Sequence, residues 1–297
     1  MTLCIAVKCV HDSQPAIVMV SDLRIEDDAA GSETAIKQGR LKHGWQFMYA
    51  GIQPRAVQLY KSVRDHVLDK PLGSVGTSSI LREAVRKHRE MLVDDYIHSQ
   101  IARSYEWLLE SGHEVLPTEY YSQLIHFVAG VRFDAQLILC GIDDGVSLIF
   151  VIDESRGEPI SKPVENFAAI GSGSMIAESV LHQRSHRSEM PLKMAIYHAL
   201  EAKRLGESAP GVGSRTTTTI LLPGGKLAYP TNECTDCMES LIQQYAPKAL
   251  DSFGEDWEQM PEEFLTVQED LRDPEPTTTD SPRQRPLRGR RAKSDES

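Results

Sequence analysis

Residues 2–24 read TLCIAVKCVHDSQPAIVMVSDLR, and this stretch decides the fold class. Positions 3–10 and 16–20 are apolar and rich in β-branched residues, with 11–15 as the turn between them. A third run, 45–50, is stopped by Gly51. No helical pattern separates these runs, so an antiparallel meander is expected rather than βαβ units. Their apolar residues are consecutive, not alternating, which implies a sheet covered on both faces.

Beyond Gly51 the period changes. Ile80, Leu81, Ala84, Val85, His88, Met91 and Leu92 follow helical spacing, with residues 77–79 as cap candidates. The pattern continues over 94–110, as far as Gly112. Residues 137–140 and 146–152 read as a strand pair around the turn 141–145. Ser172 or Ser174 is then a cap candidate for a helix carrying Met175, Ile176, Ser179 and Val180 on one face. A last helix covers 192–205 and ends at Gly206, and a β-branched strand covers 216–222 before Pro223, Gly224 and Gly225. The order predicts an α+β fold with two antiparallel sheets packed together between helix layers, a four-layer αββα sandwich.

The chain has 297 residues and a net charge of −11, from 32 Lys and Arg against 43 Asp and Glu. Such a field repels polyanions, which makes the chain a poor candidate for a general nucleic-acid or membrane-surface binder. At 40% hydrophobic and 25% charged residues the composition is that of a globular protein. No stretch approaches the ~20 apolar residues of a membrane span. The start turns polar too early for a secretory signal, and five cysteines do not suggest a disulfide framework, so the cytosol is the expected compartment. Composition shifts near Ser252. Residues 1–250 are expected to form one domain, and 251–297 an acidic, then Arg- and Pro-rich tail that is mostly disordered. Phe264, Leu265 and Val267 could form a short docked helix. The cluster Arg283, Arg285, Arg288, Arg290, Arg291 and Lys293 is either a solvated tail or a contact for an acidic partner or RNA.

Thr2 is the most informative residue. Removal of Met1, common before a small residue, would place a hydroxyl and a free α-amine on one residue. An α-amine has an ordinary pKa of about 7.7–8.0 and can act as a base near neutral pH. A threonine activated by its own amine is a recognised nucleophile. VMVSDLR (18–24), ETAIK (33–37), FMYAG (47–51), LILCGID (137–143) and AAIGSGS (168–174) follow in order. Together they resemble proteasome-type subunits, the threonine branch of the N-terminal-nucleophile (Ntn) hydrolases, including bacterial relatives that begin Met-Thr. The likeness runs from Thr2 to about Gly225.

The resemblance implies a role for each matching residue. Thr2 would be the nucleophile and its amine the base. Lys37, fourteen residues before Gly51, would stand beside the Thr2 hydroxyl. Asp22 would pair with Lys37, Arg24 would support that pair, and the Gly51 amide would donate to the oxyanion. Ser172 would hydrogen-bond near the terminal amine and help move its proton. The bland readings are a turn-capping Asp22, a surface Lys37, a strand-ending Gly51 and a helix-capping Ser172. The family's late Asp-x-x-Ser-Gly-Gly is replaced by GESAPGVG (206–213), where Glu207, Ser208 or Ser214 could substitute. The implied activity is hydrolysis of peptides or unfolded proteins by a homo-oligomeric ring or spiral, with no metal or other cofactor, no membrane and no specific nucleic acid. An inactive assembly subunit and an amidase acting on a small amide are the alternatives. Cys234 and Cys237 have half-zinc spacing and read as structural. His182 and His186 are expected on a solvated helix face.

Overall fold

The computed structural model describes residues 2–27, 30–32, 37–41, 44–70, 72–73, 75–153 and 160–245, with backbone alone at 25–27, 30–32 and 160–162. The expected tail, its arginine cluster and the boundary at 250 lie outside the described residues. The first sheet contains β1 (Leu3–His11), β2 (Gln14–Asp22), β10 (Phe167–Gly171), β11 (Thr216–Leu222) and β12 (Lys226–Ala228), ordered β10-β1-β2-β11-β12. The second contains β5 (Gln38–Arg40), β6 (Gln46–Gly51), β7 (Ala135–Asp143), β8 (Val146–Asp153) and β9 (Ile160–Val164), in sequence order. Every pairing in both sheets is antiparallel, and β3 (Ile25–Asp27) with β4 (Ala30–Ser32) forms a separate ribbon.

The consecutive apolar runs are explained by what covers each face. Along β1, Leu3, Ile5, Val7 and Cys9 join one core with Ala16, Val18 and Val20 of β2. That core is closed by α6 (Ser174–Gln183), α7 (Leu192–Gly206) and α8 (Asn232–Tyr245). The intervening Cys4, Ala6, Ile17 and Met19 meet Met48, Ala50, Ile138, Cys140, Ile149 and Val151 from the second sheet. The outer face of the second sheet, including Phe47, Leu137, Leu139, Phe150 and Ile152, is covered by α1 (Gln53–Val67) and α2 (Thr77–Ile101). Period-2 alternation thus feeds two apolar interfaces. This is the four-layer αββα sandwich that the Ntn resemblance implies.

Several local expectations are corrected. The helix expected over 94–110 breaks at Ala102, which sits at φ +53° and returns its amide to the His98 carbonyl. The chain restarts at Ser104, whose side chain accepts from the Trp107 amide, through α3 (Tyr105–Trp107), a π turn at Leu108–Gly112 and α4 (His113–Val115). With α5 (Thr118–Ala129) this segment builds a satellite core of Val93, Ile97, Leu108, Leu124 and Val128. Ahead of α2, Gly76 occupies the cap in a left-handed conformation, while Thr77 Oγ1 engages Gly73 instead. Cys234 and Cys237 lie on α8, and among the described residues there is no group of three or more metal-ligating side chains. No described helix is long and apolar enough to cross a membrane.

His182 is exposed, but His186 is buried, because α6 ends at Gln183 and a left-handed Ser185 turns the chain inward. There the His186 and His198 Nδ1 atoms lie 3.1 Å apart, and His186 Nε2 meets the Lys8 carbonyl at 2.9 Å. Burial lowers the affinity of both rings for a second proton; on His186 the Lys8 carbonyl opposes this, while on His198 the charge of His186 adds to it and the value falls to about 4.

Candidate active site

The β1–β2 register, with Cys4 opposite Ser21, brings the end of β2 beside the start of β1. Asp22 therefore faces Thr2. Its Oδ1 accepts from the Thr2 hydroxyl, from the Leu3 amide at 2.9 Å and from Lys37 Nζ at 2.8 Å. Lys37 Nζ also donates to Thr2 Oγ1. Lys37 comes from the second sheet: its carbonyl accepts from Tyr49 N at 3.1 Å, and the β5–β6 ladder begins at the next residue. Gln38 links the sheets beside it, donating to Ser21 Oγ at 3.0 Å and the Thr217 carbonyl at 3.2 Å.

Thr2, Asp22 and Lys37 are 3%, 0% and 4% exposed. At that burial an unpaired charge is costly, so each member of the ion pair depends on the other. Burial pushes the Asp22 carboxyl upward, but the hydrogen bonds from Lys37, Thr2 and the Leu3 amide outweigh it and hold it below the ordinary carboxylate range. Asp22 is therefore a poor proton acceptor. It can orient the hydroxyl and the ammonium, but the hydroxyl proton needs another base.

The second oxygen of Asp22 accepts from the amides of Arg24 at 3.2 Å and Gly213 at 3.1 Å. Arg24 thus supports Asp22 through its main chain. Gly171, at φ +97°, closes the other side: a Cβ there would lie 2.1 Å from the Thr2 carbonyl oxygen. Its amide donates to Gln136 Oε1 at 2.8 Å, and Gln136 Nε2 donates to Asp153. Ser172 Oγ lies 3.4 Å from the Thr2 carbonyl oxygen and 3.1 Å from the Pro210 carbonyl oxygen. Neither Ser172 nor Ser174 caps α6, because Gly173 holds that position without a side-chain bond. Gly51 has φ +108°, and a Cβ there would lie 2.4 Å from the Asp134 carbonyl oxygen, so the strand end itself demands glycine.

Glu207 and Ser208 go elsewhere. Glu207 accepts from Lys203 at 2.5 Å and Arg204 at 2.7 Å, and the Ser208 hydroxyl donates to the Leu205 carbonyl. The residue missed at this point is Lys203. It is buried in the last turn of α7, on the face shared with Ala195, Ala199 and Ala202. A lysine on an apolar helical stripe was the available signal. A cavity of about 440 Å³ lies between α7, β11 and α8, lined in part by Lys203, Glu207, Thr218 and Tyr229. Thr2, Asp22 and Lys37 do not line it.

No protein-family model matches the chain, and no curated protein matches it. Among solved structures it is similar to eukaryotic HslV from Trypanosoma brucei, at 16% identity over 74% of this chain and 99% of that one, with a TM-score of 0.46. The chemistry follows from this chain's own residues.

Proposed function

We propose that this chain is a threonine-type amide hydrolase whose nucleophile is Thr2 after removal of Met1. The observation that carries the reading is the convergence of the Lys37 ammonium and the Asp22 carboxylate on one buried hydroxyl. The depressed proton affinity of Asp22 leaves the freed α-amine of Thr2 as the base. The amine takes the hydroxyl proton as Oγ1 attacks the carbonyl carbon, while Lys37 stabilises charge on the oxygen. The Gly51 amide is assigned to the oxyanion. Collapse of the tetrahedral species breaks the C–N bond, and the ammonium of Thr2 returns the proton to the leaving amine. Water then cleaves the ester, with the amine again as base, and Ser172 helps pass the proton. The substrates are peptides or unfolded chains, and the working form is a cytosolic homo-oligomeric ring or spiral.

The competing reading is a non-catalytic subunit of the same fold. The engagement of Glu207 by Lys203 and Arg204 favours it, because that leaves Glu207 unavailable to the amine of Thr2. Hydrolysis of a fluorogenic peptide-amide panel by the wild type and by Thr2→Ala separates the two. The hydrolase reading expects turnover that Thr2→Ala abolishes and Thr2→Ser partly keeps. Equal signals from wild type and Thr2→Ala would leave the scaffold.

A further inference from the structure

We infer that Lys203 is a positioning residue for the Thr2 centre, acting through the 207–214 loop and the Gly213 amide on Asp22; the kinetic part of this rests on the hydrolase reading. Lys203 is 1% exposed. An ammonium has three donors. Here they meet Glu207 Oε1 at 2.5 Å, the Gly213 carbonyl at 2.9 Å and the Ser214 carbonyl at 2.8 Å. No donor is left for a substrate.

What this saturated ammonium does is fix a loop. Residues 207–215 join α7 to β11 without regular structure, and Gly213, like Gly211, has no side chain to restrict its backbone. On one side of Gly213 its N–H donates to Asp22 Oδ2 at 3.1 Å; on the other its carbonyl is held by Lys203. Clamping that carbonyl, and the next one, limits rotation about a residue with no side chain to limit it. The amide therefore stays aimed at the carboxylate. Asp22 is then held from both oxygens, with the Leu3 amide, Lys37 and Thr2 on Oδ1 and the Gly213 and Arg24 amides on Oδ2. A carboxylate so fixed cannot swing away when the Thr2 proton leaves. The GESAPGVG stretch thus serves the centre through its main chain rather than through an acidic side chain.

The test is amide hydrogen exchange in Lys203→Met, read at Gly213 against Leu3, which donates to the other oxygen of the same carboxylate. Loss of the clamp is expected to speed exchange at Gly213 by about tenfold or more, with Leu3 and the β1–β2 ladder unchanged. Peptide turnover should show kcat down by about tenfold with KM unchanged, and Lys203→Arg should restore part of both. An unaltered Gly213 amide, or Gly213 and Leu3 accelerating together, would overturn the assignment. If Lys203→Met does not fold, Glu207→Gln gives a smaller acceleration confined to Gly213, and none there defeats the proposal. A wild type that hydrolyses no peptide defeats the hydrolase reading, while the exchange comparison still decides the role of Lys203.

Discussion

Asp22 lies between two buried lysines whose surroundings differ. Lys203 sits in the last turn of a helix with each donor on a fixed acceptor, two of them main-chain carbonyls. Lys37 sits at the edge of a short strand, and its ammonium meets one carboxylate oxygen and one hydroxyl that can lose its proton. Burying an ammonium costs several kcal/mol, so neither position is neutral for folding. An ammonium saturated by fixed acceptors can only hold structure. One resting on an ionisable oxygen favours the charge that oxygen would develop, which is an electrostatic contribution to reaction.

The largest effect should come from breaking the reactive side. Lys37→Met should lower kcat/KM about a thousandfold or more and destabilise the fold by about 3–5 kcal/mol, because Asp22 is left buried and unpaired. Peptide turnover and urea unfolding measure the two; near-normal turnover would make Lys37 a second structural lysine. Gly171→Ala, which pushes a Cβ onto the Thr2 carbonyl at positive φ, should cost about 3 kcal/mol by the same unfolding assay.

The buried histidine pair sharpens the contrast, because among the described residues it has no counter-charge within hydrogen-bond reach as the lysines do. The charged neighbours of His198 are Arg184 and Glu201, which pair with each other. The fold favours the neutral rings, so their contribution is complete above the ordinary histidine value near 6.5 and is lost as pH falls toward the His198 value of about 4. Stability measured by urea midpoint should drop on the order of 2 kcal/mol over that window, and His198→Gln should flatten the dependence. The smallest effect belongs to Ser172→Ala. Ser172 is exposed, and among the described residues its hydroxyl meets the carbonyls of Thr2 and Pro210. It should leave stability within about 0.5 kcal/mol and slow turnover less than tenfold, measured on the same substrate.

Much of the sandwich was legible because strands covered on both faces write consecutive apolar runs, as at 3–10, 16–20 and 137–140. Thr2, Asp22 and Lys37 came together in the reading by resemblance, since residues 2, 22 and 37 carry no local signal of convergence. The misses have separate physical causes. Helix α1 opens with Gln53 and Pro54 and buries only Ala56, Leu59, Val63 and Val67, a thin apolar stripe for which no expectation was formed. His186 looked like the next exposed position of a helix, but the left-handed turn at Ser185 redirects it. A lysine in the last turn of a helix commonly favours the C-terminal dipole from solvent, so the position of Lys203 alone does not mark a role. The apolar stripe around it signals burial, but its partners are carbonyls ten and eleven residues later, which local pattern does not encode.

The central claim is tested most directly by the chemistry of the first residue. The chain is purified, treated with a peptidyl β-lactone, and its N-terminal peptide is sequenced by tandem mass spectrometry. The account predicts that the peptide begins at Thr2 and carries a single acyl group on Oγ1, absent in Lys37→Met. A peptide that still begins at Met1, or an acyl group on another residue, would contradict it.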